Sequence, residues 1–362
     1  MRREAFLWGG LLTLLLMALA GGCSAPAATP LAEETPSPAA SPSPDPRDPF
    51  ALNARLGRGV NLGNALEAPS EGEWGVVLRE EYFALIGIGG FDSVRIPIRW
   101  SAHAATLTPY TVDPAFFDRV DWAVEQVLSR GLIAVINMHH YEEMFDDPAE
   151  EEERFLALWQ QIAEHYMDYP PELLFEILNE PNGALSSSRW NALLKEALAA
   201  IRETNPTRNV VVGPVNWNNI GALSGLELPE DDRHLIVTFH YYDPFQFTHQ
   251  GAEWVQGADA WLGTTWQGTE AQKRGVIADL ELAAEWGRAH NRPLYMGEFG
   301  AYSKADMDSR ARWTAFVARA AEERGISWAY WEFCSGFGVF DPTQGTWNEP
   351  ILEALIPADS DT

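Results

Sequence analysis

Cysteine is almost missing from this 362-residue chain, where only Cys23 and Cys334 occur. With the N-terminal segment around Cys23 set aside, the body holds one thiol and can form no internal disulfide, even in an oxidising compartment. Its stability must come from packing, and Cys334, just past an apolar run, is expected to be a small apolar filler rather than a nucleophile. Positive charge is scarce too. Twenty-five Lys and Arg stand against 52 Asp and Glu, a net charge of −27, which argues against nucleic acid or anionic lipid as partner of the body. No G-x-G-x-x-G or G-x-x-x-x-G-K loop follows a strand-like run, so nothing supports nucleotide binding. The acids Asp146, Asp147 and Glu150 to Glu153 lack the D-x-[DN]-x-[DN]-G register of a calcium loop and read as a solvated helix start. No cofactor, metal or protein partner is implied.

Arg2 and Arg3 precede an apolar run from Ala5 to Ala20, shorter than the ~20 residues a bilayer span needs. Residues 1–22 therefore read as an export signal. Gly21-Gly22-Cys23 resembles a bacterial lipoprotein signal, in which Cys23 is the lipidated residue; Ala20 stands where such signals more often carry Leu, which leaves plain secretion open. Residues 23–50 are mostly Pro, Ser, Ala and Thr, a composition that cannot bury enough apolar surface to fold and suits an extended tether. The expectation is an exported body over residues 51–357, meeting the membrane only through an N-terminal anchor.

That body is rich in short apolar runs ending in polar or aromatic residues: Gly59–Asn64, Ser93–Ile98, Leu132–His140, Leu173–Glu180, Asn209–Trp217, Leu235–Tyr242, Pro293–Glu298 and Ser327–Glu332. Their hydrophobicity is continuous rather than alternating, as for strands buried on both faces of a parallel sheet. Between them lie stretches of helical period, such as Phe116, Val120, Ala123, Val124 and Val127. Eight strands alternating with helices predict a (β/α)₈ TIM barrel, an α/β fold whose active sites sit at the C-terminal strand ends. Those ends carry Asn61, Asn64 and Glu67; Arg95 and Arg99; His139 and His140; Asn179 and Glu180; Trp217; His240 and Tyr242; Glu298; and Trp331 with Glu332.

Glu180 and Glu298 are the most informative pair. Each closes an apolar run, where a carboxylate is rigidly held yet open to a cleft, and two carboxylates facing one sugar linkage are what glycoside hydrolysis requires. Fifteen Trp add flat apolar faces of the kind that stack on sugars, although many should fill the core. Adjacent strand residues point to opposite sides, so His139 and His140 are not expected to grip one metal ion. Glu176, in phase with Glu180 but deeper, is expected to be a buried carboxylate paired with an arginine.

Gly57-Arg58-Gly59-Val60-Asn61-Leu62-Gly63-Asn64, Val94-Arg95-Ile96-Pro97, Met138-His139-His140-Tyr141, Asn179-Glu180-Pro181, His240-Tyr241-Tyr242, Gly297-Glu298-Phe299-Gly300 and Tyr330-Trp331-Glu332 together resemble a glycoside hydrolase family 5 (clan A) enzyme. The likeness covers about Leu56 to Ile356 and is greatest to bacterial endo-β-1,4-glucanases that also cleave β-mannans. It implies a retaining mechanism, with Glu180 as acid/base and Glu298 as nucleophile. By the same resemblance Arg95 and Tyr242 support Glu298, Asn179 contacts the sugar 2-hydroxyl, His240 orients Glu180, and Trp331 is the platform under the sugar being cleaved. Asn64, Glu67, His139, His140, Trp217, His249, Trp254 and Glu332 are the implied substrate contacts. The expected substrate is a β-linked polysaccharide or oligosaccharide. A dedicated β-mannanase and a non-catalytic oligosaccharide-binding lipoprotein stay open as alternatives.

Overall fold

In a computed structural model of the protein, residues 21–22 and 45–358 are described. Cys23, the rest of the expected export signal and most of the expected tether lie outside the described residues. Among the described residues no helix is long and apolar enough to cross a membrane.

Eight parallel strands form a closed barrel: β1 (Arg58–Asn61), β2 (Ser93–Ile96), β3 (Ile133–Asn137), β4 (Leu173–Glu176), β5 (Val210–Val212), β6 (Leu235–Tyr241), β7 (Leu294–Phe299) and β8 (Ser327–Tyr330). The barrel closes where β1 pairs with β8, Gly59 opposite Ala329. The eight apolar runs are these strands, in order, and nearly every strand residue is buried. That is why their sequence pattern was continuous.

The helices on the outside follow from local signals. The Asp113 side chain accepts from Ala115 N at the start of the helix Pro114–Leu128, which buries Phe116, Val120, Ala123, Val124 and Val127. Asp147 caps the helix Pro148–His165, and Glu150 and Glu151 lie in its first turn, where acids favour the helix dipole. The solvated helix start read from the sequence is this segment. Ser186 caps the helix Ser187–Thr204 in the same manner.

Inside the barrel, Ile133, Val135, Leu174, Val211, Ile236, Tyr295 and Ala329 form one cluster with Leu52 and Leu56 of the helix Pro49–Leu56. This helix therefore packs its apolar face on the barrel interior at the strands' N-terminal side. Two residues further along, the inward positions change chemistry: Val135 gives way to Asn137, Leu174 to Glu176 and Ile236 to Thr238. The barrel is thus oily at one end and polar at the other.

Candidate active site

Arg95 is the hub of the polar end. It is fully buried, and all five guanidinium N–H groups are used. Nε and Nη2 donate to Glu176 at 2.6 and 2.8 Å, Nη1 to Asn61 Oδ1 at 2.9 Å and to Glu298 Oε1 at 2.7 Å, and Nη2 also to Asn179 Oδ1 at 2.7 Å. A charge without water is tolerable only when paired and fully hydrogen-bonded, as here. Glu176 is the buried, arginine-paired carboxylate its position in β4 predicted. Because Asn179 spends its oxygen on Arg95, its amide nitrogen is left to face the cleft.

Glu298 follows the point where the β6–β7 register shifts. Arg95 holds its Oε1, and the Tyr242 hydroxyl donates to its Oε2 at 3.0 Å. Burial raises its pKa, but His240 and Arg95 oppose that rise. Glu180 is differently placed. It has a left-handed backbone, φ 49°, and among the described residues its one side-chain partner is His240, whose Nδ1 lies 2.7 Å from Oε1. Burial pushes Glu180 up to about 7. Two glutamates in one cleft thus differ by environment: one is clamped by a cation and a phenol, the other is desolvated beside a neutral imidazole. His240 is neutral because burial drives it down to about 4, against the pull of Glu298.

One carboxylate oxygen each of Glu180 and Glu298 and a ring nitrogen of His240 lie within 4.8 Å of one another. Three such donors could in principle meet a cation. Here, however, Arg95 already neutralises Glu298 at 2.7 Å, and His240 is engaged by Glu180.

The pair opens into a cleft of about 530 Å³ lined by Asn64, His139, His140, Asn179, Tyr242, His249, Trp254, Trp331 and Glu332 among the expected residues. Trp331 and His139 stack with ring centroids 5.8 Å apart. Trp254 stands 60 % exposed at the wall, its ring edge-on to His249. Trp74, Tyr302, Ser335, Gly336 and Phe337 also line the cleft and were not singled out in the sequence. They sit on loops without periodicity, and Trp74 could have been found only as an aromatic in a Gly-rich turn.

Three expectations need correction. His139 and His140 do not point to opposite sides: β3 ends at Asn137, His140 adopts φ 50°, and both rings reach the cleft 4.6 Å apart. The strand rule lapses once the backbone leaves the strand. Glu67 does not reach toward sugar hydroxyls. It is wholly buried and accepts from the Asn64 and Ala65 backbone N–H groups, so it braces the loop that carries Asn64. Trp217 is not in the cleft lining; it is 59 % exposed, with its backbone N–H donating to Pro181 O at 3.4 Å.

Fold and site together define a (β/α)₈ barrel with a paired-carboxylate cleft at its C-terminal rim. The chain matches the profile of Cellulase (glycosyl hydrolase family 5) over residues 59–336, and it belongs to that family. It is 40 % identical to Endoglucanase H of Acetivibrio thermocellus over 87 % of its length, but spans only 34 % of that relative. About a third of the length of the first curated relatives is therefore represented. Among solved structures it resembles Cel5A of Thermotoga maritima, in complex with mannotriose and with cellobiose, at 54 % identity and TM-score 0.84, covering 85 % of this chain and all of that one. The cellulose synthase subunit Z of Clostridioides difficile is 40 % identical with TM-score 0.81, over 83 % of this chain and 99 % of that one.

Proposed function

We propose that the protein is a retaining endo-acting glycoside hydrolase that cuts β-1,4-glucan backbones. The observation that carries this reading is that one carboxylate oxygen of Glu180 lies within 4.8 Å of one of Glu298. Retaining enzymes need carboxyl groups about 5–5.5 Å apart, whereas inverting ones need roughly 6.5–9.5 Å to admit a water. In the first step a Glu298 oxygen bonds to the anomeric carbon while Glu180 gives its proton to the departing sugar oxygen. In the second, ionised Glu180 takes a proton from water, which displaces Glu298 and restores both groups. Glu298, clamped by Arg95 and Tyr242, is suited to stay ionised; Glu180, raised to about 7, is suited to alternate. Asn179, with its amide nitrogen free, is placed to meet the sugar 2-hydroxyl.

Activity on mannan is part of the proposal. It is supported by the 54 % identity to a protein solved with both mannotriose and cellobiose and by the cleft positions of Asn64 and His140. A non-catalytic sugar binder has no use for two converging carboxylates. The N-terminal residues Arg2, Arg3, Gly21, Gly22 and Cys23 further support export with a lipid anchor. Release of reducing ends from carboxymethylcellulose, barley β-glucan and glucomannan tests the function. Binding without release from any of them would refute hydrolysis, and incorporation of labelled palmitate, lost in Cys23→Ala, tests the anchor.

A further inference from the structure

His240 has two ring nitrogens, and only the contact of Nδ1 with Glu180 has so far been used. Its Nε2 meets the amide nitrogen of Asn218 at 3.2 Å. Asn218 is completely buried, and its Oδ1 has no partner. It ends a run of three residues in left-handed conformation, Asn216, Trp217 and Asn218 at φ 60°, 58° and 53°. Such a run persists only when the surroundings hold it. Space for the contact is left by two glycines. A Cβ on Gly213 would collide with the Asn218 side chain, and one on Gly297 would meet His240 Nε2 at 3.3 Å. Backbone strain and missing side chains thus converge on one amide–imidazole contact behind the acid/base.

In this amide orientation the Asn218 nitrogen donates to Nε2, which is then the unprotonated nitrogen of the ring. Neutral His240 then carries its proton on Nδ1 and donates it to Glu180 Oε1 at 2.7 Å. An oxygen that accepts there cannot also present a proton along the same line. When Glu180 is protonated, its proton must therefore sit on Oε2, the oxygen with no protein partner, on a side chain open to the cleft. In the opposite tautomer Nδ1 would be an acceptor and would draw the acid proton onto Oε1, away from the glycosidic oxygen.

We propose that Asn218 is a positioning residue that fixes the His240 tautomer and thereby confines the exchangeable proton of Glu180 to Oε2. The inference rests on the acid/base role proposed for Glu180. The other groups around His240 are compatible with a neutral ring: Glu298 Oε2 lies 3.6 Å from Nδ1, and Arg95, Glu176 and His139 complete the ionisable surroundings. Burial holds the ring down to about 4.

The test compares two replacements that packing and proton placement rank oppositely. Asn218→Asp keeps the shape but supplies only acceptors, which favours a proton on Nε2. Asn218→Gly removes the amide and tolerates the positive φ. Tautomer control predicts that Asp is the worse: polymer kcat/KM falls about tenfold or more in Asp and less in Gly. First-step rates on activated aryl cellobiosides, whose leaving groups need no proton, stay within about twofold. A purely structural role predicts the reverse, with the isosteric Asp nearly unchanged, and that result would overturn the proposal. Nitrogen-15 NMR of the unmodified protein gives a readout that needs no variant. His240 should be protonated at Nδ1 on both sides of the Glu180 titration, and an Nε2-protonated ring sinks the idea. A parent protein that releases no reducing ends would refute the glycosidase reading instead, while leaving the tautomer measurement interpretable.

Discussion

The two ends of the barrel interior obey different rules. Toward the strands' N-termini, Ile133, Val135, Leu174, Val211 and Ile236 pack with Leu52 and Leu56, and the Tyr295 hydroxyl is the one polar side-chain atom of that described cluster left without a partner. At the other end Arg95 binds two carboxylates and two amides. Asn64, His140, Glu180, Asn216, Trp217 and Asn218 take positive φ there, and Asn218 Oδ1, Thr238 Oγ1 and Glu332 Oε2 are buried without partners. Each departure costs on the order of 1–3 kcal/mol. A single fold tolerates them because the opposite end supplies the burial. Stability is concentrated at one end and chemistry at the other, so substitutions at the two ends should separate cleanly.

The largest effect is expected for Glu298→Ala, which removes the group that bonds to the sugar. Polymer hydrolysis should fall by roughly 10⁴-fold or more, and added azide should yield product of inverted configuration at the anomeric carbon. Retained configuration in that product would contradict the nucleophile assignment. Glu180→Ala comes next. Its loss on polymer should be about 10²–10⁴-fold, yet glycosyl-enzyme formation from activated aryl glycosides should persist. Equal loss on both substrate types would remove Glu180 from the proton-transfer role. At the opposite end, Leu56→Ala leaves a cavity among fully buried neighbours and should cost about 2–5 kcal/mol of stability with kcat and KM unchanged below the transition. A shift in KM would show that the two ends are coupled after all.

The same division explains what could be read in the sequence. The strands were legible because burial on both faces leaves an uninterrupted apolar run, and the helices because an apolar face recurs at helical spacing, as at Phe116, Val120, Ala123, Val124 and Val127. Glu176 was legible from phase alone: two residues beyond Leu174 inside a strand, it had to face the interior. What failed lay past the strand ends. His140 and Glu67 were placed by strand logic or by resemblance, but the backbone there turns through left-handed conformations that no periodicity encodes. Asn218 left no signal either. Its importance depends on two glycines, Gly213 beside the Asn218 side chain and Gly297 beside the His240 ring, leaving room for one amide–imidazole contact, a coincidence that exists only in three dimensions.

The smallest expected effect tests the polar end through stability. Burial raises Glu332 to about 8 and Glu67 and Glu180 to about 7, all above the value of about 4.3 for a free Glu. A carboxyl whose folded pKa is raised binds its proton more tightly in the folded chain. Its stabilising contribution is complete below about pH 4.3 and is lost as pH climbs through 7 and 8. Below about pH 6.5 the buried neutral rings of His139, His240 and His249 oppose this trend, because protons bind the unfolded chain more tightly there. The decline of Tm should therefore show from about pH 7 to pH 9; exposed carboxylates held low, such as Glu281 beside Arg288, act only in acid. Glu332→Gln isolates one term. It keeps an oxygen to accept from Phe337 N, the 3.2 Å bond now made by Oε1, but has no proton to lose. Variant and parent should unfold at nearly the same temperature at pH 5, and the variant should be a few degrees more stable at pH 9. Parallel curves across that range would mean that Glu332 ionises without penalty, and that the rim is wetter than its burial implies.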